Sequence, residues 1–329
     1  MRILIADTVL ADPAQWPDLE ALLDHARRNR CYVDTLNPAA VLDNPWFNQA
    51  NRQRQQHWLN ATDWAAKDAA LFRLRTLIAD LQPNPTVSPA RITLPDAIDL
   101  VGRPASLWLE NGRNDRQFFL AMMPAEQRAM FLEWESRRII RFENGGGLGE
   151  LRKALEEIAK RGALDPRADR ALFDSDAEVP GHSSRDATLM IAFCNSKQIA
   201  YHCLARRAIE NYLPRKALWS WAMAGSDRRA RRERSARVEA YARMSDPQRE
   251  HFHLKSGWDA HPSAQVTSLY ESVSHLDRAA LQNGIDGGIA SLYGTYMDFM
   301  HDWSSKEGVD ARLQAAINEI TDWIRVPYA

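Results

Sequence analysis

The chain has 329 residues, of which 45% are hydrophobic and 26% are charged, and its formal net charge is −1. This composition is ordinary for a soluble globular protein with two or three domains, and the near-zero charge indicates no class of partner for the chain as a whole. Cys31, Cys194 and Cys203 include no C-x-x-C pair, which argues against a zinc ribbon and against a disulfide framework. No apolar run approaches the length of a membrane span, and residues 1–7 become polar too soon for a signal peptide. We therefore predict a cytoplasmic protein with reduced thiols and no membrane association.

Residues 1–95 are predicted to form a mostly helical N-terminal region. A short strand is expected at 2–6, followed by a helix at about 16–29. Apolar residues recur at helix-like spacing across 46–81, which predicts further helix. The proline-rich stretch 82–89 breaks any helix, and we interpret it as a linker. No residue pattern in this region indicates chemistry.

The middle of the chain, residues 96–215, alternates short apolar strands with helical segments. Strands are predicted at 106–110, 138–142, 170–173 and 200–204, and helices at 115–123, 150–160 and 184–196. Strands joined by helices of about ten or more residues predict βαβ units, and therefore an α/β domain with a mainly parallel four-stranded sheet. Residues 216–329 are predicted to be a helical C-terminal region, with helices at 219–223, along an arginine-rich segment, and at 262–280, 289–303 and 311–324.

Two carboxylates close the third predicted strand, where an apolar run leads into Asp174-Ser175-Asp176. If the extended backbone continues, strand alternation sends the Asp174 and Asp176 side chains to the same side. Carboxylates this close repel each other and raise each other's pKa unless a cation lies between them. Oxygen ligands of this kind suit Mg²⁺ or Mn²⁺ better than zinc. The alternative is a strand followed by an acidic turn or a helix cap.

The other predicted strands end in residues that would complete such a site. Glu110 closes the first strand, a run of three glycines at 145–147 follows the second, and Glu210 follows the fourth. Sites in parallel sheets form at the carboxyl ends of the strands, so we expect these features to converge with the Asp pair. For Glu110 the alternative is a surface acid at a strand end. For Glu210 it is an ion pair with Arg206 or Arg207, which precede it by four and three residues.

In this order the motifs resemble a Toprim domain. They are Glu110-Asn-Gly-x-x-Asp115, then Gly145-Gly146-Gly147, then Asp174-x-Asp176, then Ile-Glu210-Asn-Tyr-Leu. More narrowly, residues 100–215 are similar to the Toprim nucleases related to the overcoming-lysogenization-defect (OLD) family and to stand-alone defence-associated Toprim proteins. The resemblance implies a Toprim-like fold and a metal-dependent endonuclease that hydrolyses phosphodiester bonds in DNA or RNA. It also implies an antiviral defence protein that acts with a separate ATPase protein.

By the same resemblance, Glu110, Asp174, Asp176 and Glu210 hold one or two Mg²⁺ or Mn²⁺ ions, and Glu110 doubles as general base or acid. Such ions neutralise the scissile phosphate, activate a water molecule and stabilise the leaving oxygen.

The pattern departs from the family in two places. Asn111 precedes the expected glycine, so that Asp115 lies one residue too far along and is either a further ligand or the N-cap of the next helix. The glycine-rich run 145–149 lacks the Lys-Ser/Thr of a P-loop, so the ATPase is expected in another protein. The three glycines are predicted to let the backbone approach a phosphate or the metal, and the alternative is a flexible turn.

A cation beside the phosphate is expected because it stabilises charge in the transition state. OLD-type sites use a lysine downstream of the Toprim core, and the candidates are Lys216 and Lys255. We favour Lys255 because it precedes Ser-Gly in a predicted loop. His251 and His253 either contact phosphate or are structural.

Six arginines within residues 228–237 indicate a strip that binds a nucleic-acid backbone, with a solvated helix face as the alternative. The predicted nucleic-acid contacts are Arg206, Arg207, Arg228, Arg229, Arg231 and Arg232. Two other functions remain open, namely another Toprim chemistry such as primase-like nucleotidyl transfer, and a non-catalytic subunit whose core binds a partner.

Overall fold

Two parallel β-sheets follow one another along the chain and carry the rest of the structure. The computed structural model describes residues 1–161, 168–308 and 310–326. Within these ranges each sheet has four strands, and every pairing between neighbouring strands is parallel. The α/β class is confirmed, and so is a four-stranded parallel sheet in the middle of the chain. The other sheet lies where the sequence predicts a mostly helical region.

The first sheet changes the interpretation of the N-terminal region. Its strands are β1 (Arg2–Ile5), β2 (Tyr32–Thr35), β3 (Thr76–Ala79) and β4 (Ala90–Ile92), and its helices are α1 (Asp7–Ala11), α2 (Trp16–Arg27), α3 (Pro45–Gln49), α4 (Arg52–Leu71) and α5 (Leu94–Gly102). The strand order is β2-β1-β3-β4. The predicted helical region is therefore corrected to an α/β unit. Its helices α2, α3 and α4 were expected, but of its four strands only β1 was. The missed strands have three or four residues, and most residues of β3 are buried, so periodicity could not separate its apolar run from helix.

The predicted linker and domain boundary both fall inside this first unit. The proline-rich stretch 82–89 joins β3 to β4 of one sheet, so it does not separate domains. Helix α5 crosses the boundary expected between residues 95 and 96. Its buried side chains Leu94, Ala97 and Leu100 belong to the same hydrophobic core as β1 and α2. The first unit therefore extends to the end of α5.

The second sheet matches the expected strands closely. Its strands are β5 (Ala105–Leu109), β6 (Ile140–Asn144), β7 (Asp169–Phe173) and β8 (Ala200–Cys203), and its helices are α6 (Gly112–Ala121), α7 (Ala125–Ser136), α8 (Leu148–Arg161) and α9 (Arg185–Lys197). The strand order is β6-β5-β7-β8. Each strand end lies within two residues of its expected position, whereas α7 was not predicted. Because all four strands are parallel, their carboxyl ends lie at one edge of the sheet.

The C-terminal region is helical, as predicted. Its helices are α10 (Arg215–Met223), α11 (Arg228–Arg243), α12 (Asp246–His251), α13 (Ala264–Leu269), α14 (His275–Ala280), α15 (Leu292–Thr295), α16 (Met297–Glu307) and α17 (Ala311–Ile324). The helix expected at 262–280 is divided into α13 and α14, and the one expected at 289–303 is interrupted at Tyr296. None of the helices in the described ranges combines the length and apolar composition that a membrane crossing requires.

One hydrophobic core joins the second sheet to these C-terminal helices. The Phe118 ring of α6 lies 5.5 Å from the Tyr212 ring and 5.1 Å from the Tyr293 ring. The Tyr293 hydroxyl donates to the Ile209 carbonyl at 2.7 Å. This packing fixes the short 3₁₀ turn Ile209–Tyr212, which follows β8 at the carboxyl edge of the sheet.

Candidate metal centre

Acidic side chains gather at the carboxyl edge of the second sheet. Glu110 directly follows β5, Asp174 directly follows β7, and Glu210 lies in the 3₁₀ turn after β8. Asp115 joins them from the first turn of α6. The structure therefore brings together acids that the sequence separates by up to 100 residues.

Asp174 lies at the centre of this group. Its backbone amide donates to Glu110 Oε2 at 3.4 Å, and its own carboxylate Oδ1 accepts from the Ile209 amide at 3.1 Å. Its pKa is raised well above the usual range, first by burial and then by the negative charges of Asp115, Glu110, Glu210 and Asp176. The negative charge of every other acid in the cluster therefore acts on the Asp174 carboxylate.

Asp115 belongs to the cluster but is not the N-cap of α6. Asn111 occupies the N-cap position, and Asp115 Oδ2 accepts from the Asn111 amide at 2.7 Å. Burial, and then the charge of Glu210, raises the pKa of Asp115 to about 7. The expected N-cap is corrected accordingly, and Asp115 remains within electrostatic reach of the other acids.

Glu210 is the most deeply buried of these acids, with 3% of its surface exposed. Its Oε1 pairs with Lys255 Nζ at 3.0 Å, not with Arg206 or Arg207 as the alternative interpretation held. Its Oε2 is buried and has no hydrogen-bond partner. A buried carboxylate oxygen without a partner is costly, so it suits a bound cation.

The acids of the cluster outnumber the positive charges that contact them, and this imbalance shifts the pKa values of both Glu110 and Lys255. Burial, and then the charges of Asp176 and Asp115, raises the pKa of Glu110 to about 7. Although burial lowers the pKa of Lys255, the carboxylates of Glu210, Asp174 and Asp176 raise it above its usual value. The cluster therefore favours either extra protons or an added cation.

Asp176 is the exposed member of the cluster, and its charge raises the pKa of both Glu110 and Asp174. Strand β7 ends at Phe173, and Asp176 has a φ of 47°, which is in the left-handed region. The condition for strand alternation, an extended backbone through Asp176, is therefore not met. The Asp176 amide donates to the Arg207 carbonyl at 2.9 Å, which holds this turn in place.

Arg206 and Arg207, predicted to bind nucleic acid, are half-buried and make ion pairs within the protein. Arg206 Nε lies 3.2 Å from Asp310 Oδ2, and its guanidinium stacks 4.6 Å from the Tyr212 ring centre. Arg207 lies 3.8 Å from Glu178. These contacts join the segment after β8 to the C-terminal region and to the turn after β7, and the nucleic-acid role of both arginines stays a prediction.

His251 also has a structural role. It is buried, and its Nδ1–H donates to the Ala177 carbonyl at 2.9 Å. Lys216, the other candidate cation, lies away from the acids, with Nζ 5.0 Å from the Trp303 ring centre. Of the two candidate lysines, Lys255 is the one that contacts the cluster.

The three glycines predicted as a phosphate loop use all of their amides within the protein. Gly145 donates to the Leu109 carbonyl at 2.7 Å, Gly146 to Asn144 Oδ1 at 3.1 Å and Gly147 to the Glu110 carbonyl at 2.9 Å. A phosphate would therefore find no free amide among them. The phosphate-loop interpretation is corrected to a loop that holds the main chain of Glu110.

Lys255 is fixed by a backbone crossing that sequence reasoning missed. Gly257 and Gly284 have φ values of 81° and 69°, and an added Cβ at Gly284 would lie 2.4 Å from the Leu254 carbonyl oxygen. The Ile285 amide donates to that same oxygen at 2.7 Å. The S-G and N-G dipeptides at these positions were the signals for tight turns, but nothing in the sequence indicated that the two turns meet.

The arginine-rich segment forms α11, and its first two turns are exposed. Arg228, Arg229, Arg231 and Arg232 are all exposed, and the Arg229 side chain retains 89% of its accessible surface while pairing with Glu233 at 2.9 Å. Arg231 Nε donates to the Gly225 carbonyl at 2.9 Å. This segment is therefore open to solvent, unlike Arg206 and Arg207.

Among the residues that the structure describes, no three His, Cys, Asp or Glu side chains are grouped closely enough to hold a metal ion. The acids lie within electrostatic reach of one another but are spread apart.

The stability of the metal-free chain is expected to fall as pH rises from about 5 to about 8. Glu110 and Asp115 titrate near pH 7 when folded but near pH 4 when unfolded, so the folded chain binds more protons in between. The free energy of unfolding should decline by roughly 5 kcal/mol, since each of the two acids contributes about 2.6 kcal/mol over this range. Urea denaturation in EDTA at both pH values measures this. Glu110→Gln should flatten the decline, and an unchanged or rising stability in the wild type would contradict it.

Comparison with protein-family models, with curated proteins and with solved structures gives no match for this chain.

Proposed function

We propose that this chain is a metal-dependent nuclease of the Toprim type, which hydrolyses phosphodiester bonds in DNA or RNA with Mg²⁺ or Mn²⁺ at the carboxyl edge of the second sheet. The observation that carries the proposal is the buried Glu210 Oε2, which has no partner within a cluster of acids whose pKa values are raised. Structural ion pairs lower the pKa of an acid, whereas these acids are held near one another without enough positive charge.

The residues fit a hard divalent cation. Glu110, Asp174 and Glu210, with Asp115 and Asp176 beside them, offer carboxylate oxygens alone, which Mg²⁺ and Mn²⁺ prefer. A cation among them would offset the repulsion that raises their pKa values. When bound, such an ion polarises a phosphate and lowers the pKa of a water molecule.

The chain's own residues supply the remaining chemistry. In the metal-free chain, burial and the neighbouring acids raise the pKa of Glu110, which makes its carboxylate more basic than that of a free glutamate, and we assign it as the proton acceptor. Lys255 carries its positive charge in the cluster and remains 40% exposed, so that it also reaches toward solvent and a substrate phosphate. Glu210 orients Lys255 through their ion pair.

Helix α11 is the proposed nucleic-acid contact. Its 16 residues span about 24 Å. Near its far end, Arg237 donates to the Ile285 carbonyl at 2.9 Å, and the Ile285 amide bonds to Leu254, next to Lys255. A nucleic-acid strand bound beside Lys255 would extend along helix α11. The exposed arginines of this helix would then contact the phosphates of the nucleic acid.

Removing two arginines of this strip should weaken nucleic-acid binding through salt-dependent contacts. Arg228 and Arg232 lie one helical turn apart and are exposed. The double change Arg228→Gln/Arg232→Gln is expected to reduce the slope of log K against log salt by about 2, because each phosphate contact contributes about 1. Fluorescence anisotropy with labelled DNA and RNA in Ca²⁺ measures binding without cleavage. The control Arg52→Gln/Arg73→Gln, on the exposed surface of the first unit, should leave the slope unchanged. Equal slopes for both variants would remove α11 from the proposal.

The direct test of the function is cleavage. Purified chain is incubated with plasmid, single-stranded DNA and tRNA, in Mg²⁺, Mn²⁺ or EDTA. We expect cleavage of at least one substrate with a divalent ion, none in EDTA, and none with Glu110→Gln. The control Glu150→Gln, an exposed acid of α8 that pairs with Lys153, should cleave normally. Cleavage by Glu110→Gln at the wild-type rate would show that this site is not responsible.

A second candidate is a non-catalytic subunit whose second sheet binds a partner. The observation in its favour is that the described acids are not grouped closely enough to hold an ion, while Lys255 already pairs with Glu210. A chain that binds neither Mg²⁺ nor Mn²⁺ in calorimetry would support it over the nuclease. In both cases the expected context, by resemblance alone, is antiviral defence with a separate ATPase.

A further inference from the structure

Asn144, the exposed last residue of β6, connects two segments next to Glu110. Its side-chain Oδ1 accepts from the Gly112 amide at 2.9 Å and from the Gly146 amide at 3.1 Å. Gly112 lies in the turn after Glu110, and Gly146 lies in the glycine loop. One amide oxygen therefore holds both segments.

Two main-chain hydrogen bonds complete this connection. Gly145 donates to the Leu109 carbonyl and Gly147 to the Glu110 carbonyl. We refer to these four bonds as the Asn144 clamp. Three of them link residues 109–112 to residues 144–147, and the fourth, from the Gly146 amide to Asn144, lies within residues 144–147. The contact is close, since a Cβ on Gly112 would lie 2.8 Å from Asn144 Cβ. The glycine at 112 is therefore required by the clamp itself.

Glu110 needs such a clamp because its side chain is weakly held. Its carboxylate accepts from the Asp174 amide at a long 3.4 Å, while the charges of Asp176 and Asp115 repel it. The hydrogen bond from Asp174 is therefore too weak to fix the orientation of the Glu110 carboxylate. The main chain must resist the repulsion, and the Asn144 clamp is the set of bonds that holds it.

We propose that Asn144 is a positioning residue for the cluster, which fixes the main chain of Glu110 and thereby the approach of its carboxylate to a bound cation. This inference rests on the proposed function. Asparagine suits the position because its Oδ1 accepts two hydrogen bonds without adding another negative charge to the acids. An aspartate would keep the acceptor and add the charge.

The test compares Asn144→Ala and Asn144→Asp with the wild type. Asn144→Ala is expected to weaken Mn²⁺ binding about 10-fold in calorimetry, as loss of groups that orient a metal ligand does. It should lower kcat for cleavage more than it raises KM, since α11 is untouched. Deuterium uptake at residues 109–112 should rise. Asn144→Asp should restore the Mn²⁺ affinity and the protection from exchange, and Asn60→Ala, an exposed position on α4, should match the wild type.

The outcomes separate this inference from the proposed function. If the wild type binds Mn²⁺ and cleaves, and Asn144→Ala does both equally well, the positioning role is wrong and the nuclease stands. If Asn144→Asp is as impaired as Asn144→Ala, the lost hydrogen bonds are not the cause and the inference is again wrong. A wild type that binds no Mn²⁺ overturns both.

Discussion

Asp174→Asn is expected to abolish metal-dependent cleavage while making the metal-free protein more stable. Asp174 is half-buried, and burial together with the charges of Asp115, Glu110 and Glu210 raises its pKa well above the usual range. The change to asparagine removes the electrostatic repulsion between the Asp174 carboxylate and the neighbouring acids, which otherwise destabilises the folded chain. At pH 8 in EDTA the free energy of unfolding should rise, since the folded chain no longer carries an ionised Asp174 among like charges.

The same change should lower the cleavage rate about 1000-fold, because a lost metal ligand removes several kcal/mol of transition-state stabilisation. The Asn side chain keeps an oxygen that accepts from the Ile209 amide, so local structure should be maintained. Urea denaturation and plasmid cleavage measure the two effects. The control Asp43→Asn, an exposed acid of the first unit, should change neither. A variant that is less stable than the wild type in EDTA would show that Asp174 is not repelled by its neighbours.

Lys255→Met is expected to have the second large effect. It removes the positive charge that pairs with the buried Glu210 and leaves that carboxylate with no ionic partner. The metal-free chain should lose about 2 kcal/mol, less than for a fully buried pair because Lys255 is partly exposed. Cleavage should fall about 100-fold, which is the size expected for loss of one charge-stabilising donor.

Mn²⁺ should therefore stabilise Lys255→Met more than it stabilises the wild type, since the ion supplies the charge that Glu210 has lost. Thermal denaturation with and without Mn²⁺ measures this difference. Lys216→Met is the matched control, because Lys216 is exposed and lies against Trp303 instead of the acids. If both lysine variants cleave at the wild-type rate, Lys255 has no part in the reaction.

The second sheet could be predicted because its strands alternate with long helical segments. Each of its strands is short, β5 and β7 contain apolar runs, and the residue after each of these two strands is an acid. The first sheet could not, because β2 includes Asp34 and β3 follows directly on a helical pattern. These segments form strands because they pair with segments that are distant in the sequence. The β-propensity of a segment carries no information on that pairing.

The acids of the candidate site could also be predicted, since parallel strands bring their carboxyl ends to one edge. The partners of the basic residues could not. Arg206 pairs with Asp310, which is 104 residues away, so its internal role depends on tertiary contacts. The hydrogen-bond partners of the glycines at 145–147 could not be predicted either. Their amides donate to Leu109, Glu110 and Asn144, which the pairing of β5 with β6 brings next to them.

Anomalous X-ray scattering from crystals grown in Mn²⁺ would show whether the acids at the carboxyl edge of the second sheet bind a divalent ion. We expect a manganese peak about 2.1 Å from carboxylate oxygens of Asp174 and Glu210, with Glu110 drawn toward it. The same crystals of Asp174→Asn should lack the peak. Wild-type crystals with no manganese at this edge of the second sheet, in a chain that is otherwise folded as described, would contradict the account.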